Sequence, residues 1–175
     1  ADNAYCGVIL LSSTAGSFVE GLEADQRQCR ELSSVCGTQV ISSAGCMLEA
    51  LKQLQVDNVT LITPSSPALN RLEGEFLHQS GVMVAAQGGF QLSSPRDILC
   101  VSPQKVCDLI RQRDVPQSQA VLISCSGLHV MEVIPQLEAE LDKPVLASNQ
   151  FGLWGCLRAL GLSTEIPGLG RLFQR

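Results

Sequence analysis

The stretch VLISCSG, residues 121–127, decides how the rest of the chain is expected to fold. An apolar run rich in β-branched residues ends abruptly there, and four small residues follow it: Ser124, Cys125, Ser126 and Gly127. An amphipathic helix pattern over residues 128–141 begins directly afterwards. This order predicts a buried strand, a tight turn and a helix, which is the unit from which parallel α/β folds are built.

The cysteine in this turn has a chemical reason for its position. We expect Cys125 to lie at the carboxyl end of a buried strand and close to the N-terminus of a helix. The helix dipole and the free backbone N–H groups at such a junction favour a thiolate and can bind an anion. Of the eight cysteines in the chain, Cys125 is therefore the candidate catalytic thiol.

The same alternation of apolar runs and helix patterns extends along the whole chain. Each apolar run is short and apolar on both faces, as in a parallel sheet, which predicts six strands at residues 6–12, 38–42, 58–63, 81–86, 119–124 and 143–148. Helix patterns lie between most of them, at residues 18–34, 46–55, 67–80, 103–112, 128–141 and 151–160. Only residues 87–102 form a long segment that we expect to be irregular. The alternation predicts an α/β fold of three layers, α/β/α, with parallel sheets and right-handed crossovers.

The chain also repeats itself loosely. A strand, the turn SSTAGS (residues 12–17), a helix and the segment TQVISSAG (38–45) form one copy. A strand, the turn SCSGL (124–128), a helix and the segment KPVLASNQ (143–150) form the other. Ligands in open α/β sheets bind beyond the carboxyl ends of the strands, so the two polar turns are predicted to converge on one small anionic ligand.

Composition narrows the classes of function. The 175 residues suit one domain or two small lobes, and 45% hydrophobic residues are enough for a substantial core. A net charge of -5 argues against nucleic-acid binding. The longest apolar runs, about eight residues, are far shorter than the roughly 20 needed to cross a bilayer. No signal peptide pattern precedes Tyr5, so we expect a cytoplasmic protein without membrane contact.

The cysteines form no metal or disulfide pattern. Their positions contain no C-x-x-C pair, and several occupy apolar positions of helix or strand patterns. We expect no metal site, and we expect every cysteine except Cys125 to be a buried free thiol in a reducing compartment.

At these residues the chain resembles the aspartate/glutamate racemase superfamily, and in particular the branch that holds maleate cis-trans isomerase and arylmalonate decarboxylase. The most specific part is the block from residue 121 to residue 162. The resemblance extends over nearly the whole chain through SSTAGSFVEG (12–21), VISSAGCMLEAL (40–51), VTLITPSSPALNRLE (59–73), VLISCSGLHVMEVIPQLEAELDKPV (121–145), ASNQFGLWGCLRALGL (147–162) and GLGRLF (168–173).

The resemblance implies a cofactor-free enzyme in which two cysteines face a small carboxylate from opposite sides. Here the first family cysteine falls on Ser13, the family tyrosine falls on Ser65, and an asparagine of the maleate isomerases falls near Pro95. A serine hydroxyl is a poor acid or base near neutral pH, so two-base racemisation is not expected. The family's decarboxylases use one cysteine, on the side that matches Cys125, to protonate a carbanion.

The resemblance also implies two pseudo-symmetric halves. The expected first half is incomplete, lacks the amino-terminal strand–helix–strand, and comprises residues 1–57 plus 150–175. The second half comprises residues 58–149 and carries Cys125. The expected catalytic residues are Cys125 and Ser13, and the expected substrate-binding residues are Thr14, Ala15, Gly16, Ser65, Ser126, Gly127 and Asn149.

Two functions remain open from the sequence. The first is a cofactor-independent isomerase or decarboxylase that acts on a small (di)carboxylate through an enediolate or carbanion-like intermediate, with Cys125 as proton donor or nucleophile. The second is a catalytically degenerate family member that binds a small carboxylate or a protein partner. Neither implies a cofactor, and assembly into a homo-oligomer is left open.

Overall fold

A computed structural model describes residues 6–174. The six strands are β1 (Val8–Leu11), β2 (Gln39–Ser42), β3 (Asn58–Thr63), β4 (Met83–Gly89), β5 (Ala120–Ile123) and β6 (Val145–Ala147). The helices are α1 (Thr14–Glu20), α2 (Leu22–Cys36), α3 (Ser43–Gln53), α4 (Pro67–Gln79), α5 (Pro95–Leu99), α6 (Pro103–Arg113), α7 (Ile134–Leu141) and α8 (Ser148–Ala159), with short 3-10 turns at Met131–Val133 and Arg171–Gln174.

The described strands form two sheets in which every pairing is parallel. Strands β1 and β2 form one sheet, and the other has the order β4-β3-β5-β6. The predicted α/β class with parallel sheets is confirmed. Each sheet lies within one of the two expected halves, and the division into halves itself stays a prediction.

Strands β3, β5 and β6 are buried on both faces because each face packs against a different core, whereas the edge strand β4 is partly exposed. Leu61 and Leu122 face a core shared with α3, α4 and α8, whereas Ile62 and Ile123 face a core shared with α6 and α7. Side chains alternate along a strand with a period of two, so a fully apolar strand is the pattern expected between two layers of helices.

The order of this sheet creates a crevice. After β3 the chain passes through α4 to β4 on one side, and after β5 it passes through α7 to β6 on the other side. The carboxyl ends of the neighbouring strands β3 and β5 therefore mark the point where the chain changes direction, which is where open α/β sheets bind ligands.

Three predicted elements are wrong in detail. The helix expected over residues 18–34 is two helices that separate at Gly21, whose φ of 85° is unfavourable for other residues. The helix expected from residue 128 begins only at Ile134, after a turn and a 3-10 segment. Residues 87–102 are not irregular throughout, because β4 continues to Gly89 and α5 lies within them.

The cysteines are all free, as expected, but they are not all buried. Cys46 and Cys107 lie in the two cores, whereas Cys6, Cys36 and Cys100 are exposed. Among residues 6–174, no helix is long and apolar enough to cross a membrane.

Candidate active site

A cavity of about 180 Å³ lies at the crevice between β3 and β5. The turn after β1, the start of α1, the end of β3, one face of α4 and the turn after β5 enclose it. Its small volume suits a ligand well below drug size. It is lined by Ser12, Ser13, Thr14, Ala15, Phe18, Ser65, Leu69, Glu73, Ser124, Cys125 and Ser126.

Cys125 is the cysteine of this cavity, and its environment favours the protonated thiol. The side chain is half-buried, and burial raises its pKa above the usual value. Backbone N–H groups of Gly127 and Leu128 oppose this increase, and the Gly127 N–H lies 3.3 Å from Cys125 Sγ. The expected thiolate at a helix N-terminus is therefore wrong, because the backbone after Cys125 forms a turn and not the first turn of a helix.

Ser13 lies at the N-cap position of α1, in extended backbone conformation. Its side chain makes no capping hydrogen bond to the helix, so the hydroxyl is not used for the role that serine most often has at this position. The first N–H groups of a helix also lack partners within it. The turn after β1 therefore brings a hydroxyl and backbone donors to the cavity.

The end of β3 holds Ser65 in place through its backbone. The Ser65 N–H donates to Thr63 Oγ1 over 2.8 Å, and Thr63 in turn donates to Asn70 Oδ1 over 2.9 Å. These two hydrogen bonds fix the backbone at Ser65, and the Ser65 side chain lies on the cavity wall.

Glu73 is the residue of the cavity that the sequence did not reveal. It lies on α4 and is 1% exposed, and burial raises its pKa to about 8, an increase that the nearby Ser124 hydroxyl opposes. Glu73 Oε1 and Ser124 Oγ have no hydrogen-bond partner. Glu73 has Leu69, Phe76 and Leu77 three or four residues away on α4, so it lies on the apolar face of the helix, whereas the exposed Glu75 lies on the polar face. This position was the available sequence signal, and the packing of α1 on α4 determines what Glu73 faces.

Six of the nine predicted site residues line this one cavity: Ser13, Thr14, Ala15, Ser65, Cys125 and Ser126. Gly16 lines a different surface hollow beside α2. Gly127 and Asn149 do not line the cavity but contact its loop: the Gly127 N–H reaches Cys125 Sγ, and Asn149 Nδ2 donates to the Ser126 carbonyl over 3.0 Å. The roles assigned to these residues stay predictions.

Between residues 6 and 174, no group of three or more His, Cys, Asp or Glu side chains is arranged to hold a metal ion. Apart from Glu73 and Cys125, the side chains on the cavity wall do not titrate near neutral pH.

Comparison with known proteins gives one family over almost the entire chain. The family profile described as arylmalonate decarboxylase matches residues 3–173. A maleate isomerase of Nocardia farcinica is 28% identical over 142 residues, which cover 79% of this chain and 57% of that protein. An arylmalonate decarboxylase of Bordetella bronchiseptica is 27% identical over 170 residues, which cover 95% of this chain and 71% of that protein.

Solved structures agree with the fold. A variant of the Nocardia farcinica maleate cis-trans isomerase, with a covalently bound succinylcysteine intermediate, superposes with a TM-score of 0.93 at 25% sequence identity. The superposition covers 98% of this chain and 72% of that chain. The chain thus spans between somewhat over half and about three quarters of the length of these relatives.

Proposed function

The chain belongs to the arylmalonate decarboxylase family, and we propose that it is a cofactor-independent lyase that decarboxylates a small malonate-type dicarboxylate. Cys125 is the proton donor, and the substrate occupies the 180 Å³ cavity between β3 and β5. Hydroxyl and backbone donors for the substrate carboxylates come from Ser13, Thr14, Ser65 and Ser126.

One observation carries this proposal. The cavity contains a single thiol, and burial raises the pKa of that thiol. A thiol that stays protonated near neutral pH suits proton donation better than nucleophilic attack, which requires the thiolate. The turn after β1 contributes Ser13 to the cavity and no second thiol. A proton is therefore delivered to one face of the intermediate only.

The reaction follows from these groups. The bond between the α-carbon and one carboxylate breaks, carbon dioxide leaves, and the bonding electron pair stays on the α-carbon. Hydroxyl and backbone donors stabilise the negative charge that spreads onto the remaining carboxylate. The Cys125 thiol then gives its proton to the α-carbon, and the thiolate regains a proton from water.

The Gly127 N–H supports the second half of this cycle. It already lies 3.3 Å from Cys125 Sγ and lowers the pKa of the thiol. When the proton has left, this N–H donates to a sulfur anion, and such charge-assisted hydrogen bonds are stronger than neutral ones.

The alternative function, a catalytically degenerate member that only binds a carboxylate or a protein partner, is not favoured. The relatives that match most of the chain are enzymes. A remnant would also have no reason to keep a half-buried thiol, unused hydroxyls and a buried carboxyl around one cavity.

Turnover tests the proposal. The protein is incubated with methylmalonate, phenylmalonate and maleate, and release of carbon dioxide and formation of fumarate are followed. We expect carbon dioxide from a malonate, and a loss of about 10²–10⁴-fold in kcat for Cys125→Ala, the range typical for removal of a positioned proton donor.

The matched control is Cys36→Ala, which removes an exposed thiol on α2 and should leave turnover unchanged. Equal turnover in Cys125→Ala and the unmodified chain would exclude Cys125 as the proton donor. Fumarate formation from maleate without decarboxylation of any malonate would assign the chain to isomerisation instead.

A further inference from the structure

Glu73 is the ionisable side chain of the cavity that the proposed mechanism does not use. It lies on α4 with 1% of its surface exposed, and its Oε1 has no hydrogen-bond partner. Ser124, which follows β5 and precedes Cys125, has an equally unpartnered hydroxyl on the same cavity. The Ser124 hydroxyl lies close enough to Glu73 to oppose the increase in its pKa, so the two groups partly serve one another. Buried polar groups are nearly always hydrogen-bonded, and the unpartnered Glu73 Oε1 on the cavity wall therefore leaves a position for a group of a bound ligand.

No neighbouring group neutralises a charge on Glu73. Among the residues that line the cavity, the other titratable group is the Cys125 thiol. Helix α1, which packs on α4, contributes only the exposed Glu20, and β4, which also packs on α4, contributes no titratable residue. The other titratable residues of α4 are exposed on its surface: Arg71, Glu75 and His78.

A buried carboxylate without a cation or a set of donors is strongly disfavoured, and the carboxyl takes up a proton instead. Burial raises the pKa of Glu73 to about 8, so the neutral form predominates at neutral pH. A neutral carboxyl differs from an ionised one in having an O–H to donate.

We infer that Glu73 determines specificity in this cavity by donating a hydrogen bond, as a neutral carboxylic acid, to a carboxylate of the bound substrate. The inference rests on the proposed function, because it assigns a dicarboxylate to the cavity. The donated bond lies between a neutral O–H and an anion, which is stronger than a bond between neutral groups. An ionised Glu73 would instead repel the substrate within a small, poorly solvated space.

Proton-coupled binding follows from this arrangement. Only the protein with protonated Glu73 binds the anion well. The affinity for the carboxylate ligand should therefore fall about tenfold per pH unit above the pKa of this group. Over the same range each bound ligand should carry up to one proton into the protein. At lower pH the affinity should no longer depend on Glu73 ionisation.

The test uses malonate as the probe in the Cys125→Ala background, where turnover is strongly reduced and the thiol no longer titrates beside the ligand. Isothermal titration calorimetry measures the dissociation constant from about pH 7 to about pH 9.5, in buffers of different ionisation enthalpy that report proton uptake. Glu73→Gln, Glu73→Leu and the exposed control Glu75→Gln are compared in the same background.

We expect malonate affinity to fall above about pH 8, with proton uptake, in the background protein and in Glu75→Gln. Glu73→Gln keeps a donor, so it should bind within about threefold at pH 7 and show neither the fall nor the uptake. Glu73→Leu should bind about 10- to 100-fold more weakly at pH 7, because it lacks the donor.

Three results would overturn the inference. They are an affinity that does not change with pH in the Glu73-containing protein, an unchanged pH dependence in Glu73→Gln, and no malonate binding at pH 7. Titration of Glu73 by carbon-13 NMR of its side-chain carboxyl gives a readout without ligand, and a pKa below about 6 would equally contradict it. Failure of the proposed function would be seen separately, as an absence of turnover in the unmodified chain.

Discussion

At the scale of single residues, the chemistry of the cavity depends on which groups hold a proton. Burial raises the pKa of both Cys125 and Glu73, and the negative charge of an ionised Glu73 would raise the pKa of Cys125 further. Both groups are therefore proton donors near neutral pH. Such a site suits a dianionic ligand, because it supplies donors without adding negative charge.

A second thiol on the opposite side of the ligand should change the outcome of the reaction. Ser13 lines the same cavity as Cys125, and its hydroxyl makes no capping bond that a thiol would disrupt. In Ser13→Cys, a proton can be delivered or removed on the face that Cys125 does not reach. We expect loss of stereochemical purity in the product, or exchange of its α-hydrogen with deuterated water, measured by chiral chromatography and NMR.

The matched control for this variant is Ser13→Ala, which removes the hydroxyl and adds no acid. If Ser13→Cys binds malonate normally but gives neither exchange nor altered stereochemistry, the two side chains do not face one ligand from opposite sides.

Sequence patterns identified Cys125 and missed Glu73, for a physical reason. A cysteine at the end of an apolar strand departs from the local pattern. Glu73 shares the apolar face of its helix with Phe76 and Leu77, but a single acid on such a face does not indicate which cavity it enters. Burial of Glu73 comes from the packing of α1 on α4, which involves residues distant in the sequence. Sequence patterns also did not reveal that a turn after Cys125 delays the helix to Ile134. Burial raises the pKa of Cys125, which favours the thiol over the expected thiolate.

At the scale of elements, the short helix α1 is positioned by a break and a buried acid. Gly21 separates α1 from α2 with φ 85° and ψ 168°, a region that is essentially restricted to glycine. Asp25 in α2 accepts hydrogen bonds from Ser17 in α1 over 2.5 Å and from Ser42 at the end of β2 over 2.6 Å. These contacts fix the start of α1, and so Ser13, relative to the smaller sheet.

Substitution of Gly21 should therefore affect stability in the opposite direction to substitution of a helical glycine. Gly21→Ala has space for its Cβ but strains the backbone, and should lower the free energy of unfolding by about 1–3 kcal/mol. Gly74→Ala on α4 has equal space and ordinary helical backbone, and should raise it by roughly 0.5–1 kcal/mol. Urea unfolding measures both, and a change of the same sign in the two variants would contradict the assigned role of Gly21.

The sequence predicted a helix through this break because a single glycine within an amphipathic pattern is often tolerated. The sign of φ at Gly21 depends on where α2 must run, which the pattern does not encode. Strand positions were predicted more closely, because a run that is apolar on both faces is stable only where helices cover both faces of the sheet.

At the scale of the whole molecule, the parallel sheet of four strands puts its polar turns at one edge and its two cores on either side. The fold class and the six strands could be predicted because the alternation of apolar runs and helix patterns is a property of the whole chain. Which side chains enclose the cavity could be predicted only for the residues at strand ends. Glu73, Leu69 and Phe18 enter it from helix faces, which depends on how helices pack.

Burial of Glu73 also makes the free energy of unfolding depend on pH. The folded chain keeps Glu73 protonated up to about pH 8, whereas an unfolded chain ionises it near 4.5. Between these values the unfolded state binds fewer protons, so this group lowers the free energy of unfolding by roughly 1.4 kcal/mol per pH unit as pH rises. Glu73→Gln should remove this slope and be the more stable protein near pH 8, by an amount on the order of 4 kcal/mol.

Urea unfolding at about pH 5 and about pH 8 measures this effect, with Glu75→Gln as the exposed control. Glu138, whose pKa is also raised by burial, contributes with the same sign in every variant and cancels in the comparison. An equal pH dependence in Glu73→Gln and the unmodified chain would contradict the burial of a neutral acid at this position.

In the proposed reaction one thiol, Cys125, protonates a carbanion in the cavity between β3 and β5. The measurement that tests it most directly is the decarboxylation, in deuterated water, of a malonate that carries one methyl and one phenyl group on its central carbon. Chiral chromatography gives the configuration of the product, and mass spectrometry gives its deuterium content. We expect one deuterium at the α-carbon, one enantiomer in large excess, and a loss of about 10²–10⁴-fold in rate for Cys125→Ala. A racemic product, or an unchanged rate in Cys125→Ala, would contradict it.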